Sequence, residues 1–235
     1  MKNLLLLFFT CCYTCLMAQT SEGLQKGAEI RTRMAKAFGG EKAVKQLRQF
    51  NYTLVRTTYV PNSDSTITSA AVYTIDLRNR YISTSTQTPE GPVIKKIGKD
   101  GAWLIEQGQR KPLPQEEQAA LERTFFYNFI PMLQDEQLQF RYVRSTIYND
   151  RGVDIVRVTD PENPALSLDL FVDEENGQVL TSSKPGTDEG IVYPYYADEL
   201  EYVPVGKGII FPLVYKIYVR GSLTSEGLFK NVQVK

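Results

Sequence analysis

Histidine is absent from all 235 residues, and the three cysteines, Cys11, Cys12 and Cys15, all lie near the N-terminus. The commonest general base and the commonest metal ligand are therefore missing. Ser–His and Cys–His nucleophile pairs cannot be built, and a zinc site of the usual His/Cys type is excluded. Charge of one sign is missing too. The chain has 27 basic and 27 acidic residues, so no strong field points to nucleic acid or to an anionic membrane surface. No apolar run reaches the roughly 20 residues of a spanning helix. Only carboxylates, Lys, Tyr, Ser and Thr remain for catalysis, and no motif gathers them, so no enzymatic activity and no cofactor are expected.

The longest apolar run lies at the start. Met1-Lys2-Asn3 is a short positive segment, Leu4 to Met17 carries no charge, and Leu16-Met17-Ala18 offers a small residue before polar Gln19-Thr20-Ser21. That is the layout of a secretory signal peptide, cleaved after Ala18. Cys15 follows Cys12-Tyr13-Thr14, which is not the small-residue context of a lipidated cysteine. Residues 19–235 then form one exported domain without a cysteine, and hence without a disulfide, in the periplasm, where disulfides form.

Apolar spacing predicts a helix over Glu22–Phe38, with Leu24, Ala28, Met34 and Phe38 near helical period. Gly39-Gly40 stops it, and a short helix follows over Glu41–Leu47. Period-two alternation then begins. Phe50, Tyr52 and Leu54 share one face, as do Ile67, Ala71, Tyr73, Ile75 and Leu77. Val93–Ile97 and Ala102–Glu106 read as a hairpin across Lys99-Asp100-Gly101. Pro114 and the following Gln115-Glu116-Glu117 open a central helix running to Leu133. Pro131 should end or kink it. Strands resume over Gln137–Tyr148, Val153–Thr159, Leu166–Asp173 and Gln178–Ser182, the last two joined by Glu174-Glu175-Asn176-Gly177. Ile191–Val203, Ile209–Val219 and Phe229–Lys235 read as the closing strands, with a polar loop over Lys184–Gly190. Meander order with short turns predicts a mainly β (α+β) fold: a curved antiparallel incomplete barrel of about ten or eleven strands. The N-terminal helix and the central lid helix cover it. An open barrel lined by apolar side chains is a pocket for an apolar ligand.

Several short motifs carry a family likeness. Ala35-Lys36-Ala37-Phe38-Gly39-Gly40 precedes Leu47 and Phe50. Asp100-Gly101-Ala102-Trp103 makes a hairpin, and Leu170-Phe171-Val172-Asp173 is followed by Gly177-Gln178-Val179. Gly208-Ile209-Ile210-Phe211-Pro212 and Phe229-Lys230-Asn231-Val232 come last. In this order they resemble the LolA/LolB-like superfamily of periplasmic lipoprotein carriers. That resemblance implies an incomplete barrel of about eleven antiparallel strands with helices as a lid. It also implies a carrier for a lipid, an acyl chain or a lipoprotein anchor. The Arg-Pro pair of the carriers has no counterpart in Asp76-Leu77-Arg78-Asn79-Arg80, so that arginine's role is not carried over.

The residues expected to meet such a ligand are Trp103, Leu121, Phe125, Phe126, Phe129, Met132, Leu133, Phe211 and Tyr215. The helical aromatics serve equally well as core, and Trp103 as hairpin packing. Tyr193, Tyr195, Tyr196 and Tyr202 read either as cavity lining or as cross-strand packing. Asp169, Asp173, Glu174 and Glu175 read as a solvated hairpin, as do Asp198, Glu199 and Glu201. The expected protein is a monomeric periplasmic carrier that hands its apolar ligand to an envelope partner. The alternative is a non-catalytic envelope interaction domain of the same fold with a filled interior.

Overall fold

The computed structural model describes residues 21–183, 202–219 and 221–235. The expected signal peptide, the Lys184–Gly190 loop, most of the Ile191–Val203 strand, Tyr193, Tyr195, Tyr196 and the Asp198–Glu201 carboxylates lie outside them. Helix α1 spans residues 21–37 and α2 spans Glu41–Gln46. Six strands follow as a meander: β1 (Gln49–Tyr59), β2 (Thr66–Asp76), β3 (Tyr81–Thr88), β4 (Gly91–Gly98), β5 (Gly101–Glu106) and β6 (Gln109–Pro112). Helices α3 (Gln115–Tyr127) and α4 (Phe129–Gln134) interrupt them. Strands β7 (Gln139–Tyr148), β8 (Arg151–Thr159), β9 (Ser167–Asp173) and β10 (Val179–Ser183) form the second run. The last are β11 (Tyr202–Gly206), β12 (Ile209–Pro212), β13 (Val214–Val219) and β14 (Ser222–Val234).

All strand pairs among the described residues are antiparallel. The main sheet has eight strands in the order β13-β14-β1-β2-β3-β4-β5-β6. A four-stranded sheet runs β10-β9-β8-β7, and β11-β12 form a two-stranded ribbon. The barrel is incomplete and curved. The fourteen strands among the described residues exceed the ten or eleven expected; two of the additions are short Gln109–Pro112, which carries no apolar alternation, and the division of Ile209–Val219 into two strands. Pro212 has no N–H to continue a ladder. The chain changes partner at Leu213, whose carbonyl accepts from Phe229 N at 2.7 Å. Strand β14 begins at Ser222, earlier than its apolar residues indicate, because it borders both β13 and β1.

The central helix also breaks elsewhere than expected. Its break falls at Asn128, which ends α3 and caps α4, its side-chain oxygen accepting from Ile130 N at 3.3 Å. Pro131 sits within the first turn of α4, where a backbone N–H has no intrahelical acceptor. Two other helix ends are closed by side chains from neighbouring elements. Arg31 of α1 donates to the carbonyls of Leu133 and Asp135 at 2.8 and 2.9 Å. Gln134 of α4 donates to the carbonyls of Val44 and Leu47 at the end of α2. Orphan carbonyls are thereby satisfied, and α1, α2 and α4 are tied into one unit.

That unit sits against the four-stranded sheet. A Cβ on Gly27 would lie 2.0 Å from the Phe140 carbonyl oxygen, so α1 meets β7 backbone to backbone only because residue 27 is glycine. Gly27 therefore marks a contact, although glycine lowers helix propensity. On β8, Asp154 receives Arg33 at 2.6 Å and the Ser145 hydroxyl at 2.8 Å. Phe38, at the end of α1, packs edge-on against Phe129 and Tyr202 with centroids 5.6 and 5.8 Å apart. One continuous core joins α1, both larger sheets and α4. No helix among the described residues is long and apolar enough to cross a membrane.

Candidate functional site

Because side chains alternate along a strand, the concave face of the main sheet is built in rungs. The lowest rung runs Phe50–Ile75–Ile82–Ile97–Ala102 across β1 to β5. The next is Tyr52–Tyr73–Thr84–Lys95–Leu104. Above it lie Phe229, Leu54, Ala71, Thr86 and Val93. The top rung is Tyr215–Gly227–Arg56–Ser69. Burial falls in the same direction. Phe50 is 0% exposed, Tyr52 4% and Leu54 7%, while Arg56 is exposed.

Between this face and α3 lies a cavity of about 530 Å³, within the roughly 300–1,000 Å³ range of small-molecule pockets. Its lower wall is aromatic. Tyr52 and Tyr73 stack at 4.9 Å, and Tyr52, Phe211 and Tyr215 each pack on Phe229 with centroids between 5.0 and 5.7 Å. The roof is the α3 face formed by Glu117, Ala120, Leu121 and Thr124, continued by Asn128. Lys95 of β4 meets Glu117 of α3 at 2.7 Å, pinning the roof to the sheet. At the top of the cavity the Arg56 Nε donates to the Tyr215 hydroxyl at 3.1 Å. Burial pushes the Tyr73 phenol above its ordinary pKa, with nearby Arg56 opposing. Along β1 the inward row thus passes from Phe50, Tyr52 and Leu54 to the Arg56 guanidinium at the top.

Of the nine residues expected at the site, Leu121, Phe129, Phe211 and Tyr215 line this cavity. The other five do not. Phe126, Met132 and Leu133 are buried in the core, and Phe125 is half-buried beneath the Arg80 guanidinium at 5.5 Å. Trp103 lies on the opposite face of β5 from Ala102 and Leu104, as period two requires. There its Nε1 donates to the Asp100 carbonyl at 2.9 Å and Arg110 stacks on its ring at 3.5 Å. Tyr202 is half-buried and packs against the core, its hydroxyl donating to the Val179 carbonyl at 2.7 Å.

Sequence reasoning missed Arg56, Lys95 and Glu117. Arg56 was within reach of it, being the next residue after Phe50, Tyr52 and Leu54 on the same face. The cavity face of α3 was not, because Glu117, Ala120, Leu121 and Thr124 mix charge, small size and hydroxyl and make no apolar stripe.

Glu117 is the one carboxylate among the described lining residues, so the cavity lacks the paired carboxylates of glycosidase chemistry. No group of three or more Asp or Glu among the described residues is placed to hold a metal. Asp173 instead accepts from the backbone N–H groups of Glu175 and Asn176 and pairs with Arg151 at 3.3 Å. Asp169 pairs with Arg157 at 2.8 Å.

Comparison with known proteins returns no matching family and no matching curated relative. Solved structures do match. A LolA superfamily protein from Nitrosomonas europaea superposes with a TM-score of 0.57 at 11% identity, covering 89% of this chain and 93% of its own. A DUF1329 family protein from Desulfovibrio piger gives 0.52 at 8% identity, covering 90% and 92%. A domain named for outer membrane lipoprotein sorting, from Vibrio parahaemolyticus, gives 0.51 at 10% identity, covering 90% and 93%. Over most of its length, this chain has the incomplete-barrel fold of the LolA-like proteins, in a widely divergent sequence.

Proposed function

We propose that the chain is an exported, periplasmic carrier that binds an acyl chain, belonging to a lipid or a lipoprotein anchor, in the cavity beneath α3. The observation that carries this reading is the unfilled space of about 530 Å³ on an aromatic and aliphatic face of the sheet. Apolar burial drives binding at roughly 25 cal/mol per Å², or about 0.8 kcal/mol for each methylene removed from water. Leu121, Phe129, Phe211 and Tyr215 supply contacts from four elements, and the fold shared with a lipoprotein-sorting domain agrees with such cargo. Release requires α3 to lift, which breaks the half-buried Lys95–Glu117 pair. The open cavity favours a carrier over an interaction domain with a filled interior. Titration with a fluorescent fatty-acyl probe tests the reading: saturable one-to-one uptake, competed by unlabelled palmitate, is the expected result. No uptake, or uptake that never saturates, would refute it. Intrinsic fluorescence is a poor substitute, since Trp103 is on the outer face.

A further inference from the structure

Arg56 ends the inward-facing row of β1, above Phe50, Tyr52 and Leu54. Among the described residues it forms no ion pair, in contrast to Arg33, Arg80, Arg151 and Arg157, which each meet a carboxylate within 4 Å. Among the described residues its one hydrogen bond is donated through Nε to the Tyr215 hydroxyl, and none of them meets the two terminal nitrogens of the guanidinium fork, which suit a planar anion. The position is built. A Cβ on Gly227 would lie 2.1 Å from the Tyr215 ring and 2.7 Å from its hydroxyl oxygen. The Tyr215 ring thus lies flat over a residue that must be glycine, beside Arg56, which pairs with Gly227 across the sheet. The charged lining residues are Arg56, Lys95 and Arg123 against Glu117, three cations to one carboxylate, in a chain whose overall charge is balanced.

We infer that the cavity selects amphiphiles with an anionic head, a carboxylate or a phosphate, held by Arg56 and Tyr215 while the tail descends toward Phe211 and Phe129. This inference rests on the acyl-binding reading and deepens it. The rung order fixes the direction: the tail meets Leu54, Tyr52 and Phe229 below, and the head stays at the solvent-reachable end. A cation that water can reach loses little solvation in meeting the head, and the attraction is screened by salt.

The test is competition against a fluorescent acyl probe by palmitate, by palmitoyl lysophosphatidylglycerol and by neutral monopalmitoylglycerol, with inorganic phosphate as a fourth competitor. The wild-type chain is expected to prefer the anionic competitors by about tenfold or more, the size of a charge-assisted hydrogen bond at an exposed site. Arg56→Gln is expected to bring the ratio of anionic to neutral affinity close to one. Arg56→Lys should restore part of it, and Tyr215→Phe should reduce it while keeping the ring over Gly227. Preference for palmitate alone, or for the phosphate ester alone, identifies the head and supports the inference. Equal affinity for anionic and neutral amphiphiles, unchanged by Arg56→Gln, would overturn the head assignment while leaving acyl binding intact. Displacement by inorganic phosphate alone would overturn the amphiphile in favour of a free-anion site. Failure of every amphiphile to compete would overturn acyl binding itself.

Discussion

Replacing Ala71 by tryptophan should block the cavity without harming the fold. Ala71 lies on the third rung between Leu54 and Thr86, facing the cavity. It is half-buried, and no described residue fills the space above it. A Trp side chain offers roughly 150–250 Å² of surface and is well suited to a strand. Projected from β2, it would occupy ground that several methylenes of an acyl chain would otherwise use. Displacing about four methylenes costs about 3 kcal/mol at roughly 0.8 kcal/mol each, which is more than a hundredfold in affinity. The folded chain should lose nothing, since the new ring buries itself against Tyr73 and Leu121 rather than displacing them. The assay pairs fluorescent acyl-probe titration with thermal unfolding. Affinity should fall more than about a hundredfold, with Tm unchanged or raised. An Ala71→Trp chain that folds and binds the probe as tightly as the wild type would refute the placement of the ligand along this rung.

Other expectations follow from the same contacts. Gly27→Val should destabilise strongly, by more than the usual cost of about 1–3 kcal/mol for overpacking, because the obstacle is the Phe140 backbone; urea unfolding measures it, and a change under about 0.5 kcal/mol would contradict the close approach of α1 and β7. Glu117→Gln should lower stability by about 1 kcal/mol, the pair being half-buried and partly screened by water, and speed hydrogen exchange along α3 and release of bound probe. Burial works against the Asp154 charge, but hydrogen bonds from Arg33 and Ser145 and the charges of Lys26 and Arg33 outweigh it and hold its pKa below the ordinary 3.8. Its contribution is therefore fully present above pH 3.8 and lost as pH falls through the lower folded value. Asp154→Asn should cost about 3 kcal/mol at neutral pH and flatten the acid limb of the stability curve; an unaltered limb would place the acid sensitivity elsewhere.

Much of the fold was legible because burial on one side of a strand imposes alternation. Phe50, Tyr52 and Leu54, and Tyr73 and Ile75, declared the concave face before any register was known. The Lys99-Asp100-Gly101 and Glu174–Gly177 turns declared two hairpins. The helix break moved from Pro131 to Asn128 because a proline in the first turn of a helix removes no bond, whereas an asparagine that caps one helix ends the one before it. Ile209–Val219 looked like one strand because its apolar alternation continues unbroken through Leu213, where the partner changes. The cavity was harder to read. Hydrophobic stripes on α3 and α4 mark what packs into the core, so Phe126, Met132 and Leu133 proved to be structural. A surface that faces a space needs no such stripe, and the Glu117–Thr124 face carries none. Of the two readings of Trp103, the structure agrees with hairpin packing, since its neighbours Ala102 and Leu104 hold the inner face.

Native mass spectrometry of the chain purified without detergent from its own envelope, followed by organic extraction, would show what the cavity carries. An added mass matching one acyl amphiphile with a carboxylate or phosphate head, absent from the Ala71→Trp chain, is the outcome expected if the space beneath α3 is a carrier site. A bare mass that stays bare after incubation with palmitate and palmitoyl lysophosphatidylglycerol would contradict it.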